Sequence, residues 1–250
     1  MSTAFERIMR GRGDCDCRHE PFLYDYYVAR RVRPLPHFDP DPDRPARYEE
    51  IRDDLLKAAE RRPVFFKDMS YYVVPRLFDD PDFATGMVNV FLIRDPRRSI
   101  LSYHRLDPGL TREEVGLEAQ ARHVAWLRKR AGETPLVIEA EAVQCDPAGT
   151  MCGFWARVGL PPKPEALDWT DEPVPEDWSG VAGWHAAVTE SGGIRPPESE
   201  RRTAEAFAAA AAAEPRLAEL LAWHAPYYRQ LQALARRAAA SPGHTMRTMP

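Results

Sequence analysis

One segment, "FLIRDPRRSILSYHRL" (91 to 106), carries residue types at a spacing that could do chemistry. An apolar run leads into Arg94, Asp95-Pro96 turns the chain, and Pro96 suits the first turn of a helix, where its missing N–H would be unpaired anyway. Ser102 follows on that helix. A guanidinium and a hydroxyl converging in this way make a phosphate clamp, because Arg offers several N–H donors in a fixed fork and Ser adds one more. The competing structural reading is a strand-edge Arg94 paired with Asp95 and an ordinary helix-interior Ser102.

Other groups are weaker. Cys15, Cys17 and His19 lie close enough to suggest metal ligands, yet a lone C-x-C-x-H has no second half elsewhere at zinc-like spacing. Reduced thiols in a loop and core are therefore expected, and no metal. In "TESGGIRPP" (189 to 197), Gly192 and Gly193, after Ser191, would let the backbone approach a phosphate closely, or would simply form a flexible loop. Trp169, Trp178 and Trp184 could line a ligand pocket or form local core.

The elements that must position these groups follow from periodicity. A helix is expected over 2–11, with Phe5, Ile8 and Met9 as its apolar stripe and Thr3 and Glu6 at capping-box spacing. A second is expected over 47–61. Short apolar runs that stop on charges predict buried strands at 63–69, 87–96 and 135–143. Between and after them, 97–106, 111–131 and 147–158 read as helices. The Pro- and Trp-rich stretch 160–197 reads as loop, the alanine run 208–213 as helix, and the C-terminus as helical. The tract "PLPHFDPDPDRP" (34–45) reads as a loop, since each proline biases its predecessor away from helix. Strands alternating with helices predict an α/β fold, three layers αβα around a central parallel sheet, as one domain over 1–250. Ligands bind beyond the carboxyl ends of strands in such sheets, where "FFKDM" and "FLIRDP" place their charges.

Composition sets outer limits. A 44% hydrophobic and 29% charged chain of 250 residues with net charge −4 is an ordinary globular protein rather than a general nucleic-acid binder. No apolar run is long enough to cross a bilayer, and nothing resembles a signal peptide, so a cytoplasmic location is expected. A P-loop kinase would need a Walker Gly-Lys-Ser/Thr, which the chain lacks.

The Arg94–Ser102 segment resembles the 3′-phosphate-binding motif of sulfotransferases that use 3′-phosphoadenosine 5′-phosphosulfate (PAPS), where a strand ends in Arg-Asp/Asn-Pro and a Ser follows at the same distance. Weaker likenesses fall in order along the chain. "EPF" (20–22) resembles the acidic segment after the first helix of bacterial sulfotransferases, and "PVFFKDMSYYV" the strand with a Lys near the active site. "VIEAEAVQCDPAGTMCGFWARVGLP" resembles the family's strand, Asp-Pro turn, helix and Gly-Leu-Pro ending. "HAPYYRQL" resembles its C-terminal helix. "STAFERIM" resembles the end of the 5′-phosphosulfate loop and the start of the helix after it, which implies that the first strand and the loop's basic residue would lie upstream of Met1.

The resemblance implies a P-loop NTPase-like sulfotransferase fold and an enzyme that moves a sulfuryl group from PAPS to a hydroxyl of a small molecule, glycan or natural product. It implies that Arg94 and Ser102 hold the 3′-phosphate and that Ser2 and Thr3 meet the 5′-phosphosulfate end at a helix N-terminus. Gly192 and Gly193 would belong to the late nucleotide loop. Glu20 would be the base and Lys67 would stabilise the bridging oxygen or the leaving phosphate, against the plainer readings of a structural Glu20 and a Lys67–Asp68 salt bridge. Many relatives place a His soon after that Lys. Here Tyr71 and Tyr72 stand in that region, which favours Glu20, with His19 in reserve and His104 read as a packing or surface residue. A non-catalytic nucleotide-binding relative, or an inactive truncated form, is the alternative.

Overall fold

A computed structural model of the chain describes residues 1–240. In chain order, α1 (Ser2–Gly11) leads to β1 (Asp16–His19), α2 (Tyr48–Ala59), β2 (Val64–Lys67), α3 (Ser70–Asp79) and α4 (Pro81–Thr85). Then come β3 (Val90–Ile93), α5 (Pro96–Leu106), α6 (Leu117–Ala131), β4 (Leu136–Glu139), α7 (Ala140–Cys145) and α8 (Pro147–Arg157). The chain continues through α9 (Ala182–Thr189), α10 (Glu200–Ala213) and α11 (Arg216–Ala240). It is a mixed α/β protein, mostly helical. The described residues form two compact units, one of Met1–Phe83 with Lys163–Arg195, the other of Ala84–Pro162 with the chain from Pro196 onward.

In the first unit, β1 and β2 pair in parallel, with Asp16 opposite Val64 and His19 opposite Lys67. β1 is absent from the sequence expectations, which gave a loop there. The run "DCRH" has no β-branched residue and no apolar alternation, and only pairing with the better strand β2 makes it a strand. A helix over 70–79 also went unread, because Pro75 interrupts its pattern. The stretch 160–197, expected as loop, contains α9 and 3-10 turns at Pro164–Leu167 and Glu176–Val181. Loop 34–45 is tied down at several points: Asp39 N–H donates to Gly180 O (2.8 Å), Trp184 Nε1–H to Pro36 O (2.7 Å) and Asp41 N–H to the Tyr24 hydroxyl (3.1 Å).

The capping box expected at Thr3 and Glu6 does not form. Met1 is the N-cap, Ser2 and Thr3 lie inside α1, and Glu6 is fully buried with other partners. Helical spacing turns Glu6 inward, and donors there compete successfully for its carboxylate.

In the second unit, β3 and β4 pair in parallel with Val90 opposite Leu136 and Ile93 opposite Glu139. Phe91, Ile93, Val124, Leu127, Val137 and Leu231 form its main core. The Asp95 carboxylate caps α5 by accepting from Arg97 N–H (2.8 Å), and Pro96 opens the helix. Asp146 and Pro147 start α8 in the same way. The alanine run is helical within α10. The expected helical C-terminus is observed as far as Ala240, and its remainder lies outside the described residues.

Candidate active site

The parallel register of β1 and β2 decides what meets at their carboxyl ends. Glu20 N–H donates to Lys67 O (2.9 Å), and the chain then leaves the strand with Glu20 at φ 38°. A non-glycine residue held in the left-handed region is a local strain of the kind that functional sites retain. The turn brings the Glu20 carboxylate to the Lys67 ammonium at 2.5 Å, and the Tyr72 hydroxyl donates to its other oxygen at 3.2 Å. Lys67 therefore pairs with Glu20, not with Asp68 as the plainer reading had it.

Behind this pair lies a second layer of charge. The Glu6 carboxylate is 2.6 Å from His19 Nδ1 and accepts from Trp178 Nε1–H (2.9 Å) and Arg10 (2.8 Å). Lys67 Nζ is 4.0 Å away. Burial alone would raise the Glu6 carboxyl, but His19, Lys67 and Arg10 outweigh it and hold it at about 2. Burial likewise pushes Glu20 up, and Lys67, His19 and His185 bring it below its ordinary value. Lys67 rises above its own despite burial, through Glu20 and Glu6. Burial, reinforced by the charge of Glu20, drives Asp68 well above the usual carboxylate range. The site holds an ionised Glu20–Lys67 pair beside Asp68, whose ionisation burial disfavours.

His185 completes the cluster, its Nε2 2.9 Å from His19 Nε2. Glu6 and His185 escaped the sequence reading as site residues. Their signals, an acid beside an apolar stripe and a histidine within a Trp-rich stretch, are weak without coordinates. Trp178 and His185 border a cavity of about 480 Å³, together with Val174, Pro175, Ala182 and Ala186. Trp169 and Trp184 instead donate to backbone carbonyls of Ser191 and Pro36. Gly192 serves local packing: its carbonyl accepts from Trp169 N–H (3.0 Å), and a side chain there would meet Thr170 Oγ1 at 2.2 Å. Gly193 bridges antiparallel to Asp168.

In the second unit Arg94 follows the last residue of β3. Asp95 does not take it as a partner but binds Arg97, at 2.5 Å. The Arg94 Nε is buried with no hydrogen-bond partner among the described residues, and so is Glu141 Oε2 nearby in sequence to β4. Burial pushes the guanidinium below its ordinary value, with Glu141 opposing. Ser102 sits on α5, partly buried. An Nε–H that is buried and unused can still donate to an anion.

A family model described as "Sulfotransferase domain" matches residues 1–231, and the chain belongs to that family. Two Arabidopsis thaliana proteins are also similar. Branched-chain-amino-acid aminotransferase-like protein 1 is 31% identical over 154 residues, which is 61% of this chain and 27% of that protein. Branched-chain-amino-acid aminotransferase-like protein 2 is 27% identical over 112 residues, 45% of this chain and 20% of that protein. The matches thus span about a quarter or less of these relatives' length. No solved structure gives a significant match. Sulfuryl transfer is the chemistry that the family's description names. No described helix is long and apolar enough to cross a membrane.

Proposed function

We propose that the chain is a PAPS-dependent sulfotransferase in which Glu20 is the base and Lys67 the cation at the reacting end. In this reading an acceptor hydroxyl attacks sulfur in line, its proton passes to Glu20, and the S–O bond to the 5′-phosphate breaks. The products are the sulfate ester and adenosine 3′,5′-bisphosphate. The observation that carries the reading is the Glu20–Lys67 contact of 2.5 Å at the carboxyl ends of β1 and β2. With donor bound, the ammonium has a second anion to serve, and each share it gives to the bridging oxygen makes Glu20 a better proton acceptor.

Arg94 and Ser102 are assigned to the 3′-phosphate and Ser2 and Thr3 to the phosphosulfate end, each from its match with the family's motifs. Gly192 and Gly193 are kept as candidates for the late nucleotide loop. The finer fold, three layers around one central sheet, is part of the same proposal, as is the one-domain reading, which the single family match running through both units supports. A cytoplasmic location and the absence of a metal requirement belong to it too. The aminotransferase in the relatives' names is not carried over, because the matched segments are 27% and 20% of those proteins.

The test is twofold. Transfer of labelled sulfate from PAPS is measured across a panel of hydroxylated acceptors, and adenosine 3′,5′-bisphosphate binding is measured for wild type and Arg94→Ala. Losing a charged hydrogen bond is worth about 1.5–3 kcal/mol, so binding should weaken about tenfold to a hundredfold. Undiminished binding in that variant would sink the 3′-phosphate assignment, and no transfer to any acceptor would leave a nucleotide-binding protein without the activity.

A further inference from the structure

Arg97 and Arg98 are neighbours in "DPRRS", and α5 turns them in different directions, since adjacent helical residues do not share a face. Arg97 is taken by Asp95 at 2.5 Å and by Glu200 at 2.6 Å. Arg98 goes inward: its side chain is 8% exposed, and one of its Nη groups donates to Glu198 O at 2.6 Å. Ser102 lies four residues further along the same face, and Arg94 stands four residues before, where β3 has just ended.

In this part of the second unit the charges do not balance. Arg98 Nε is 3.7 Å from Glu141 Oε1, beyond hydrogen-bond distance, and that oxygen accepts instead from Asp95 N–H at 3.2 Å. Among the described residues, Arg94 Nε, Arg98 Nε and Glu141 Oε2 are all buried without a hydrogen-bond partner. Glu141 is thus one carboxylate for two buried guanidiniums, because Asp95 is committed to Arg97. Burial disfavours the Arg94 charge and Glu141 opposes that, while Arg98 and Arg105 add like charge to the same place. Buried cations need a counter-charge, and buried N–H groups need acceptors. A phosphate brings both, since its oxygens can serve two guanidiniums and a hydroxyl at once.

We propose that Arg98 is a second phosphate-binding guanidinium, so that Arg94, Arg98 and Ser102 together hold the 3′-phosphate. The proposal rests on the assignment of Arg94 and Ser102 to that phosphate. Glu141 keeps the two arginines near each other in the unliganded protein without neutralising both, which leaves one positive charge for the ligand. The bond to Glu198 O occupies one Nη of Arg98 and leaves its Nε–H to donate. Arg98 is then a specificity-determining residue. A 3′-phosphate answers the surplus charge, whereas a neutral 3′-hydroxyl does not. In the plainer alternative Arg98 only ties α5 to the chain before α10, and it has no part in telling the two nucleotides apart.

The experiment measures the affinity of the full chain for adenosine 3′,5′-bisphosphate and for adenosine 5′-phosphate, which lacks the 3′-phosphate. Wild type, Arg94→Ala and Arg98→Met are compared. Methionine keeps an unbranched apolar stem in the helix and removes every donor. Bisphosphate binding should weaken about tenfold to a hundredfold in Arg98→Met, with adenosine 5′-phosphate within about twofold of wild type. Equal weakening of both nucleotides, or of neither, overturns the role of Arg98. If Arg94→Ala also binds the bisphosphate as wild type does, the 3′-phosphate assignment fails as well, so the two failures are separable. No bisphosphate binding to wild type overturns both. Should Arg98→Met lose cooperative unfolding, ¹⁵N NMR of wild type decides. There the Arg98 Nε–H resonance should shift on adding the bisphosphate and stay in place on adding adenosine 5′-phosphate, and a resonance that ignores the bisphosphate refutes the proposal.

Discussion

Glu6→Gln is the substitution whose effect can be worked most fully from the structure. The carboxylate is fully buried and serves Arg10, His19 and Trp178 at once. Its folded value of about 2 lies below its ordinary 4.5. At about 1.4 kcal/mol per tenfold, that gap is about 3 kcal/mol of stability at neutral pH. Breaking a buried charge pair by removing one partner gives a similar figure, about 3–5 kcal/mol. A glutamine would also turn an N–H₂ towards groups that are themselves donors. Because the folded value is depressed, the contribution is present above about pH 4.5 and is lost as pH falls towards about 2. Guanidinium unfolding of wild type and variant between about pH 7 and 2 should show a gap of about 3 kcal/mol that closes with acid. Other carboxylates titrate in both chains, so the difference isolates Glu6. A variant within about 0.5 kcal/mol of wild type at neutral pH, or a gap that persists undiminished at the acid end, would refute the reasoning.

Two further outcomes follow from the same geometry. Glu20→Gln should lower kcat for sulfuryl transfer by about 10²–10⁴-fold while leaving adenosine 3′,5′-bisphosphate affinity near wild type, and an undiminished kcat would remove Glu20 as the base. Gly180→Ala would place a methyl group 2.6 Å from Asp39 O, where the loop 34–45 is fastened. Limited proteolysis should then cut that loop faster, and unchanged cleavage would mean that its other ties to Tyr24 and Trp184 suffice.

How much of this was legible without coordinates divides by the range of the interaction responsible. The helix 2–11, the strands ending in Lys67 and Ile93, the α5 start at Asp95-Pro96 and the long C-terminal helices are written in local periodicity and capping, which any short window of sequence contains. Arg94 was singled out by spacing, and its unpaired Nε sharpens the reason to look there. β1 was invisible because its four residues have no strand signal of their own and depend on pairing with β2, some 48 positions away. The same pairing makes Glu20 the partner of Lys67, in place of the Asp68 of the plainer reading. The capping box failed because Thr3 and Glu6 have nearer long-range partners in His185 and His19 than in the helix's own backbone.

Sequence by itself determined the alternation of elements, the family motifs and the identity of the chemically able residues, since these depend on residue type and short spacing. Only the tertiary structure decided that Glu6, His19, Glu20, Lys67 and His185 form one buried charge network. That network joins α1, β1, β2 and α9 across separations as large as that from Thr3 to His185, 182 positions along the chain. Desolvation and charge pairing act through space, and they alone set which of these groups are ionised and which donate.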